Sequence, residues 1–103
     1  MSDTIVSTAS VATERGARYG KQLVSHLGRK SVGVWDEASG SGTLDMGDSA
    51  AHVTLQSTTD ALVITVEAAD PDIAAYQDVV GRHLERFGER DGLRVHWVRS
   101  GPK

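Results

Sequence analysis

The chain has 103 residues, enough for one compact domain and too few for two independent cores. Its 39% apolar and 24% charged residues are typical of a folded protein rather than a disordered one. The lack of cysteine excludes disulfides, thiolate metal sites and thiol catalysis. The sequence shows no signal peptide and no apolar run near the ~20 residues of a membrane span, so we predict a single cytoplasmic domain over 1–103, ordered over about 4–99, with no membrane contact.

Charge is segregated along the chain although the net value is only -3. Five basic residues lie between positions 15 and 30, none between 31 and 81, and six from 82 to the end. This pattern predicts two basic helix faces beside an acidic sheet, or alternatively a basic groove for a small anionic ligand. We expect no nucleic-acid partner, because nucleic-acid footprints are usually denser in basic residues and interleaved with aromatic ones.

The first two elements are a strand and a helix. Residues 4–12 alternate between two faces and are rich in β-branched side chains, which predicts a strand. Residues 14–28 predict a helix, with Thr13 as the expected N-terminal cap. Its apolar stripe repeats at i, i+4 and i+8 and consists of Tyr19, Leu23 and Leu27.

Four short strands are predicted next, at 31–37, 43–46, 50–57 and 61–68. The turns between them are short, so we expect antiparallel neighbours. A second helix begins at Asp70-Pro71-Asp72, a favourable helix start, with Asp70 as the cap. Its apolar face comprises Ile73, Tyr76, Val80, Leu84 and Phe87.

Residues 92–98 predict the last strand, with Leu93, Val95 and Trp97 facing inward, and residues 100–103 a loose tail. The order β-α-β-β-β-β-α-β predicts an α+β two-layer sandwich, in which two helices cover one face of a mostly antiparallel sheet.

The other face of the sheet is expected to be uncovered, and in the strand 31–37 we expect Val32 and Val34 to face the helices, with Trp35 on the open face or, alternatively, under a loop with its indole N–H satisfied. The uncovered face should then carry Trp35, Thr43, Asp45, His52, Thr54, Val63, Thr65, Glu67, Arg94, His96 and Val98. Such a mixed face is either solvated or the surface of a homodimer. The interface candidates are Trp35, His52, Val63, Glu67, His96 and Val98.

Two segments resemble the motifs of a known family. Residues 18–26 read RYGKQLVSH, an Arg-Tyr pair followed by Lys-Gln-Leu and then His. Residues 79–87 read VVGRHLERF and resemble the motif Val-Val-x-x-His-Leu-Glu-Arg-Phe, ahead of a turn and a last strand with Trp. Over roughly residues 6–99 the chain resembles the bacterial domain of unknown function family 2218. The resemblance implies a compact α+β domain and no assigned activity.

Members of this family are sometimes encoded beside, or fused to, siderophore-interacting flavin reductases. The resemblance therefore implies a link to iron–siderophore metabolism and such a reductase as a partner. Many relatives have Cys where Val24 stands and a second His where Arg29 stands. If those side chains hold a metal in relatives, two candidate ligands are missing from this chain.

The leading ligand-binding candidates are His26 and His83, and Tyr19, Arg18 and Arg82 are further candidates. The two histidines can meet if the helices are neighbours. Two ligands are fewer than the three or four that zinc takes from proteins, and Glu85 is expected on the solvent face. We therefore predict no complete metal site and no cofactor, and keep a metal- or haem-binding protein using both histidines as an alternative.

No catalytic constellation is recognisable in the sequence. The spacing His83-Leu84-Glu85 occurs in zinc deaminases, but their Pro-Cys-x-x-Cys segment requires cysteine. The Gly40-Ser41-Gly42 segment is neither a nucleophile elbow nor a phosphate-binding loop, since no strand–turn–helix surrounds it. We predict a small accessory or binding domain rather than an enzyme, with a metal- or haem-binding protein and a homodimerising interaction module as the alternatives.

Overall fold

The computed structural model describes residues 4–28, 32–47 and 50–100. They form β1 (Thr4–Ala12), α1 (Gly16–Leu27), β2 (Val32–Asp36), β3 (Ser41–Met46), β4 (Ala51–Ser57), β5 (Ala61–Ala69), α2 (Asp70–Phe87), a 3-10 turn (Glu89–Asp91) and β6 (Val98–Ser100). The α+β class and the predicted order of elements are confirmed. Arg29, the first residue of the predicted strand 31–37 and the tail at 101–103 lie outside the described residues.

The strands form one antiparallel sheet in the order β2-β3-β4-β5-β1-β6. Strands β2 to β5 are joined by short turns and lie side by side, as the sequence predicts. β1 pairs with β5 over its full length, from Thr4 opposite Ala69 to Ala12 opposite Ala61. This long-range pairing connects the start of the chain to the middle of the sheet.

The core lies between the sheet and the two helices, which share one face of the sheet. The central strands send alternate residues into it, and α1 and α2 contribute the apolar stripes predicted from their spacing. The largest side chains with no measurable exposure are Leu23, Leu44, Leu55, Leu62, Ile64, Ile73 and Leu84. Within the described residues, neither helix combines the length and the apolar character that crossing a bilayer requires.

The predicted facing of β2 is wrong. Trp35 is half-buried and packs against the core, whereas Val32 and Val34 are 68% and 60% exposed. The indole lies over two glycines: a Cβ on Gly20 of α1 would come within 2.7 Å of its ring, and one on Gly42 of β3 within 2.6 Å. The space left by these missing side chains accommodates the large indole, and the two valines point to the open face.

The predicted last strand is also wrong in its limits. Residues 93–97 belong to no strand, whereas β6 pairs Val98 with Thr8 and Ser100 with Val6. Alternation persists before β6, where Leu93 is buried. The reason is that this segment runs along α2, and the carboxylate of Glu85 accepts a hydrogen bond of 3.0 Å from the backbone N–H of Val95. Glu85 is therefore half-buried rather than on the solvent face.

Both helix starts differ slightly from the prediction. The cap position of α1 is Arg15, and Thr13 instead accepts a hydrogen bond of 3.0 Å from the backbone N–H of Arg15. The cap position of α2 is Ala69, which is extended, so Asp70 is the first helical residue. Asp70 and Asp72 still place negative charge in the first turn, where the helix dipole favours it.

Candidate functional site

The two histidines singled out in the sequence meet on the outer surface of the helix layer. His26 lies in the last turn of α1, and His83 lies in the C-terminal half of α2. Their ring centroids are 5.0 Å apart with the planes tilted by 45°. His26 is exposed and His83 is half-buried, so a solvent-borne ligand or partner can reach the pair.

Phe87 completes this two-histidine cluster, which we define as His26, His83 and Phe87. Its ring lies edge-on to both imidazoles, with centroid distances of 5.4 Å to His26 and 6.3 Å to His83. Such T-shaped contacts restrain ring orientation, because the positive edge of one ring faces the negative face of the other. The sequence places Phe87 on the apolar face of α2 but does not reveal that it borders the histidines.

A backbone contact sets the tautomer of His83. Its Nδ1 lies 2.7 Å from the carbonyl oxygen of Val79, one turn earlier in α2. A carbonyl only accepts hydrogen bonds, so Nδ1 carries the proton. In the neutral ring, Nε2 then keeps its lone pair for an external donor or a metal ion.

Tyr19 lies in a separate, structural contact. The side chain is buried, and its hydroxyl donates a hydrogen bond to the Asp91 carboxylate, which also lies 3.5 Å from the Arg15 guanidinium. The hydrogen bond to Asp91, with burial as the second cause, raises the pKa of the Tyr19 hydroxyl. Tyr19 thus ties α1 to the turn after α2, while the neighbouring Arg18 is exposed on α1.

Arg82 lies beside a different feature, a cleft of about 210 Å³ between α2 and residues 93–97. Its Nε donates a 2.8 Å hydrogen bond to Asp78. The cleft is lined by Ala74, Gln77, Asp78, Gly81, Arg82, Glu85, Val95 and Trp97. The Glu85 carboxylate already accepts a hydrogen bond from the Val95 N–H. We therefore interpret this cleft as part of the packing between α2 and residues 93–97 rather than as a ligand site.

The open face of the sheet carries the predicted Thr43, Thr54 and Thr65, and their alignment into one row with Thr8 is a feature that sequence reasoning missed. Cross-strand register aligns Val34, Thr43, Thr54, Thr65, Thr8 and Val98 across the sheet. Thr43, Thr54 and Thr65 recur at intervals of eleven residues. Aligning the predicted strands about their short turns would have placed these three side by side.

The interface candidates are distributed unevenly over this face. His52 and Glu67 lie opposite each other in the neighbouring row, and His52 Nδ1 is 2.7 Å from Asp45 Oδ1. Val63 and Val98 also lie on the sheet, the latter 63% exposed. His96 is exposed in the segment before β6, outside the sheet, and Trp35 is on the opposite side.

A metal site with three or more side-chain ligands is absent from the described ranges. Residues 4–28, 32–47 and 50–100 contain no group of three or more His, Cys, Asp or Glu placed to hold one ion. The His26–His83 pair therefore stands as a two-nitrogen arrangement. The position of Arg29, where the resemblance implies a further histidine in relatives, is outside those ranges.

Comparisons with known proteins agree with the motifs at 18–26 and 79–87. The family described as "Uncharacterized protein conserved in bacteria (DUF2218)" matches residues 8–98. The NMR structure of PA4090 from Pseudomonas aeruginosa is similar, with 30% identity, a TM-score of 0.68, and coverage of 91% of this chain and 95% of that one. No curated protein matches the chain. The chain belongs to this family of uncharacterized bacterial proteins.

Proposed function

We propose that this protein is a cytoplasmic accessory module that binds a partner or ligand through the surface around the two-histidine cluster, and that it is not an enzyme. One observation carries the proposal: imidazoles from two different helices meet at 5.0 Å on an accessible surface. His26 is exposed and His83 is only half-buried, so the pair contributes little to the core. Exposed aromatic and polar groups on a rigid scaffold are suited to recognition.

Individual basic side chains on the helix layer support an anionic partner or ligand. Arg18 on α1 and Arg82 and Arg86 on α2 are exposed on this layer. The opposite face of the sheet instead carries Asp45 and Glu67. Because Arg82 is paired with Asp78 and the start of α2 carries Asp70 and Asp72, an anionic partner or ligand would be bound by Arg18 and Arg86 rather than attracted by the net charge of the helices.

A siderophore-interacting flavin reductase is the partner that the family resemblance suggests, which would place the module in iron–siderophore metabolism. We propose to measure binding of this protein to such a purified reductase by calorimetry in buffer containing EDTA. The double variant His26→Ala/His83→Ala should bind at least tenfold more weakly than the wild type. Thr54→Ala, on the far side of the sheet, is the control and should bind normally.

Two results would overturn this proposal. Equal affinity of the wild type and the double variant would remove the cluster from the binding surface. Absence of binding by the wild type would remove the reductase as the partner. A spectrophotometric titration with a ferric siderophore tests the small anionic ligand separately. If the protein binds the ferric siderophore directly, the absorption of the siderophore should change with no reductase present.

A homodimer formed through the open sheet face is the second candidate function. The observation that favours it is the exposure of valines at both ends of the threonine row, 60% for Val34 and 63% for Val98. Sedimentation should show a dimer that Thr54→Arg converts to a monomer, while Gln22→Arg on the exposed side of α1 leaves it intact. A wild type that remains monomeric at high micromolar concentration contradicts this candidate.

A further inference from the structure

We propose that His26 and His83 form an open two-nitrogen site for an exchangeable divalent transition-metal ion, with copper(II) bound most tightly, then nickel(II) or zinc(II). The inference concerns the surface of the proposed function, but it rests on the geometry of the cluster and not on any partner. It is distinct from a complete structural metal centre, since only two side chains supply ligands.

The separation of the rings permits coordination of one ion by both imidazoles. A metal–nitrogen distance of about 2.1 Å, with each ring centroid a further ~1.2 Å behind its nitrogen, places two adjacent imidazole ligands with their centroids about 4.6–5.2 Å apart. The observed separation is 5.0 Å. Two imidazoles on opposite sides of a haem iron would be about 6.5 Å apart by the same arithmetic, so the pair is too close to clamp a haem.

The hydrogen bonding of His83 is that of a histidine ready to ligate. Metal-binding histidines usually donate their second ring N–H to a carboxylate or backbone carbonyl, which fixes the tautomer and the ring orientation. In this chain the Val79 carbonyl accepts from Nδ1 at 2.7 Å, so Nε2 is the nitrogen presented to a metal. The coordinating atom of His83 is therefore identified before any metal is bound.

Phe87 and the exposure of His26 define the rest of the site. The phenyl ring contacts both imidazoles and limits their rotation, so less side-chain entropy is lost when an ion binds. The exposed side of His26 leaves room for water or for a donor from another molecule to complete the coordination. Imidazole nitrogen favours copper, nickel and zinc over magnesium and calcium, which select oxygen ligands, and copper(II) binds most tightly in the divalent series.

The test is calorimetric titration of the purified full chain with copper(II), nickel(II), zinc(II) and magnesium(II) chlorides. We expect one copper(II) ion per chain, weaker binding of nickel(II) and zinc(II), and no heat from magnesium(II) at this site. His26→Gln and His83→Gln should each weaken copper binding at least tenfold. His52→Gln and His96→Gln are matched controls, since both histidines are exposed but lie outside the cluster, and should bind within twofold of the wild type.

Paramagnetic resonance and NMR locate the ion independently of affinity. The copper(II) spectrum should show coupling to imidazole nitrogen, and copper should broaden the ring resonances of His83 and Phe87 first. Binding that survives unchanged in His26→Gln/His83→Gln, or broadening centred on His52 or His96, would overturn the inference, as would a wild type that binds no copper up to millimolar concentration. Because reductase binding is measured in EDTA, failure of either proposal leaves the other one testable on its own.

Discussion

The two faces of the sheet are built from the same strands and differ by a shift of one residue. On the covered face, Leu44, Leu55 and Ile64 have no measurable exposure and pack beneath the helices. On the open face, their immediate neighbours Thr43 and Thr54 are exposed. Alternation along a strand therefore separates residues that stabilise the fold from residues that are free to interact. Substitutions on the covered face should therefore lower the free energy of unfolding, whereas substitutions on the open face should leave it nearly unchanged and affect only association.

The largest expected effect is on the covered face. Leu84 is fully buried on α2, so Leu84→Ala should reduce the free energy of unfolding by about 2–5 kcal/mol through lost burial and a residual cavity. Thr54→Ala on the open face is the comparison and should change it by less than about 0.5 kcal/mol. Denaturant melts of both variants measure the contrast. A loss below about 1 kcal/mol for Leu84→Ala would mean that α2 does not anchor the core.

The next effect is at the contact between α1 and the edge of the sheet. Alanine normally favours a helix over glycine by about 1 kcal/mol. At position 20, however, the added Cβ would come within 2.7 Å of the Trp35 ring, so we expect Gly20→Ala to destabilise the protein by about 1–3 kcal/mol through overpacking. Trp35→Leu in the same chain should relieve the clash, so that the double variant loses less than the sum. Stabilisation by Gly20→Ala alone would contradict the close contact.

A smaller effect is expected where α1 meets the turn after α2. Tyr19→Phe removes the hydrogen bond to Asp91 and should cost about 1 kcal/mol at neutral pH. Because the pKa of Tyr19 is raised in the folded protein, its stabilising effect is complete below the unfolded pKa of about 10 and is lost as the pH rises through the folded pKa. The wild type should lose stability at alkaline pH more steeply than Tyr19→Phe. If the free energy of unfolding falls equally in the wild type and in Tyr19→Phe as the pH rises, this hydroxyl does not couple folding to pH.

The smallest effect on stability is expected at the edge of the open face. Val34→Thr changes a side chain that is 60% exposed on an edge strand, so the free energy of unfolding should change by less than about 0.5 kcal/mol. If the open face makes a dimer, the same change should raise the dissociation constant, which sedimentation measures. A loss of stability above about 1 kcal/mol would mean that Val34 is part of the core.

Local pattern explains most of the candidate site. The position of His83 on α2 and of His26 on α1 could be read from helical spacing, and their encounter required only that the helices be neighbours. The contact of Phe87 with both rings and the hydrogen bond from Nδ1 of His83 to the Val79 carbonyl depend on how the side chains are oriented. Side-chain orientation follows from packing between helices, which spacing along one helix does not specify.

The sequence by itself determined the order of the elements, the facing of the central strands and the apolar stripes of both helices. Each of these follows from a periodicity of two or 3.6 residues, a local property of the chain. The tertiary structure decided the facing of Trp35, which depends on the space above Gly20 and Gly42, and the end of the chain, where Glu85 holds residues 93–97 against α2 and only Val98–Ser100 pairs with β1. It also decided that Thr8 joins the threonine row, because the register between β1 and β5 relates residues that are distant in the sequence, and only folding brings Thr8 beside Thr65.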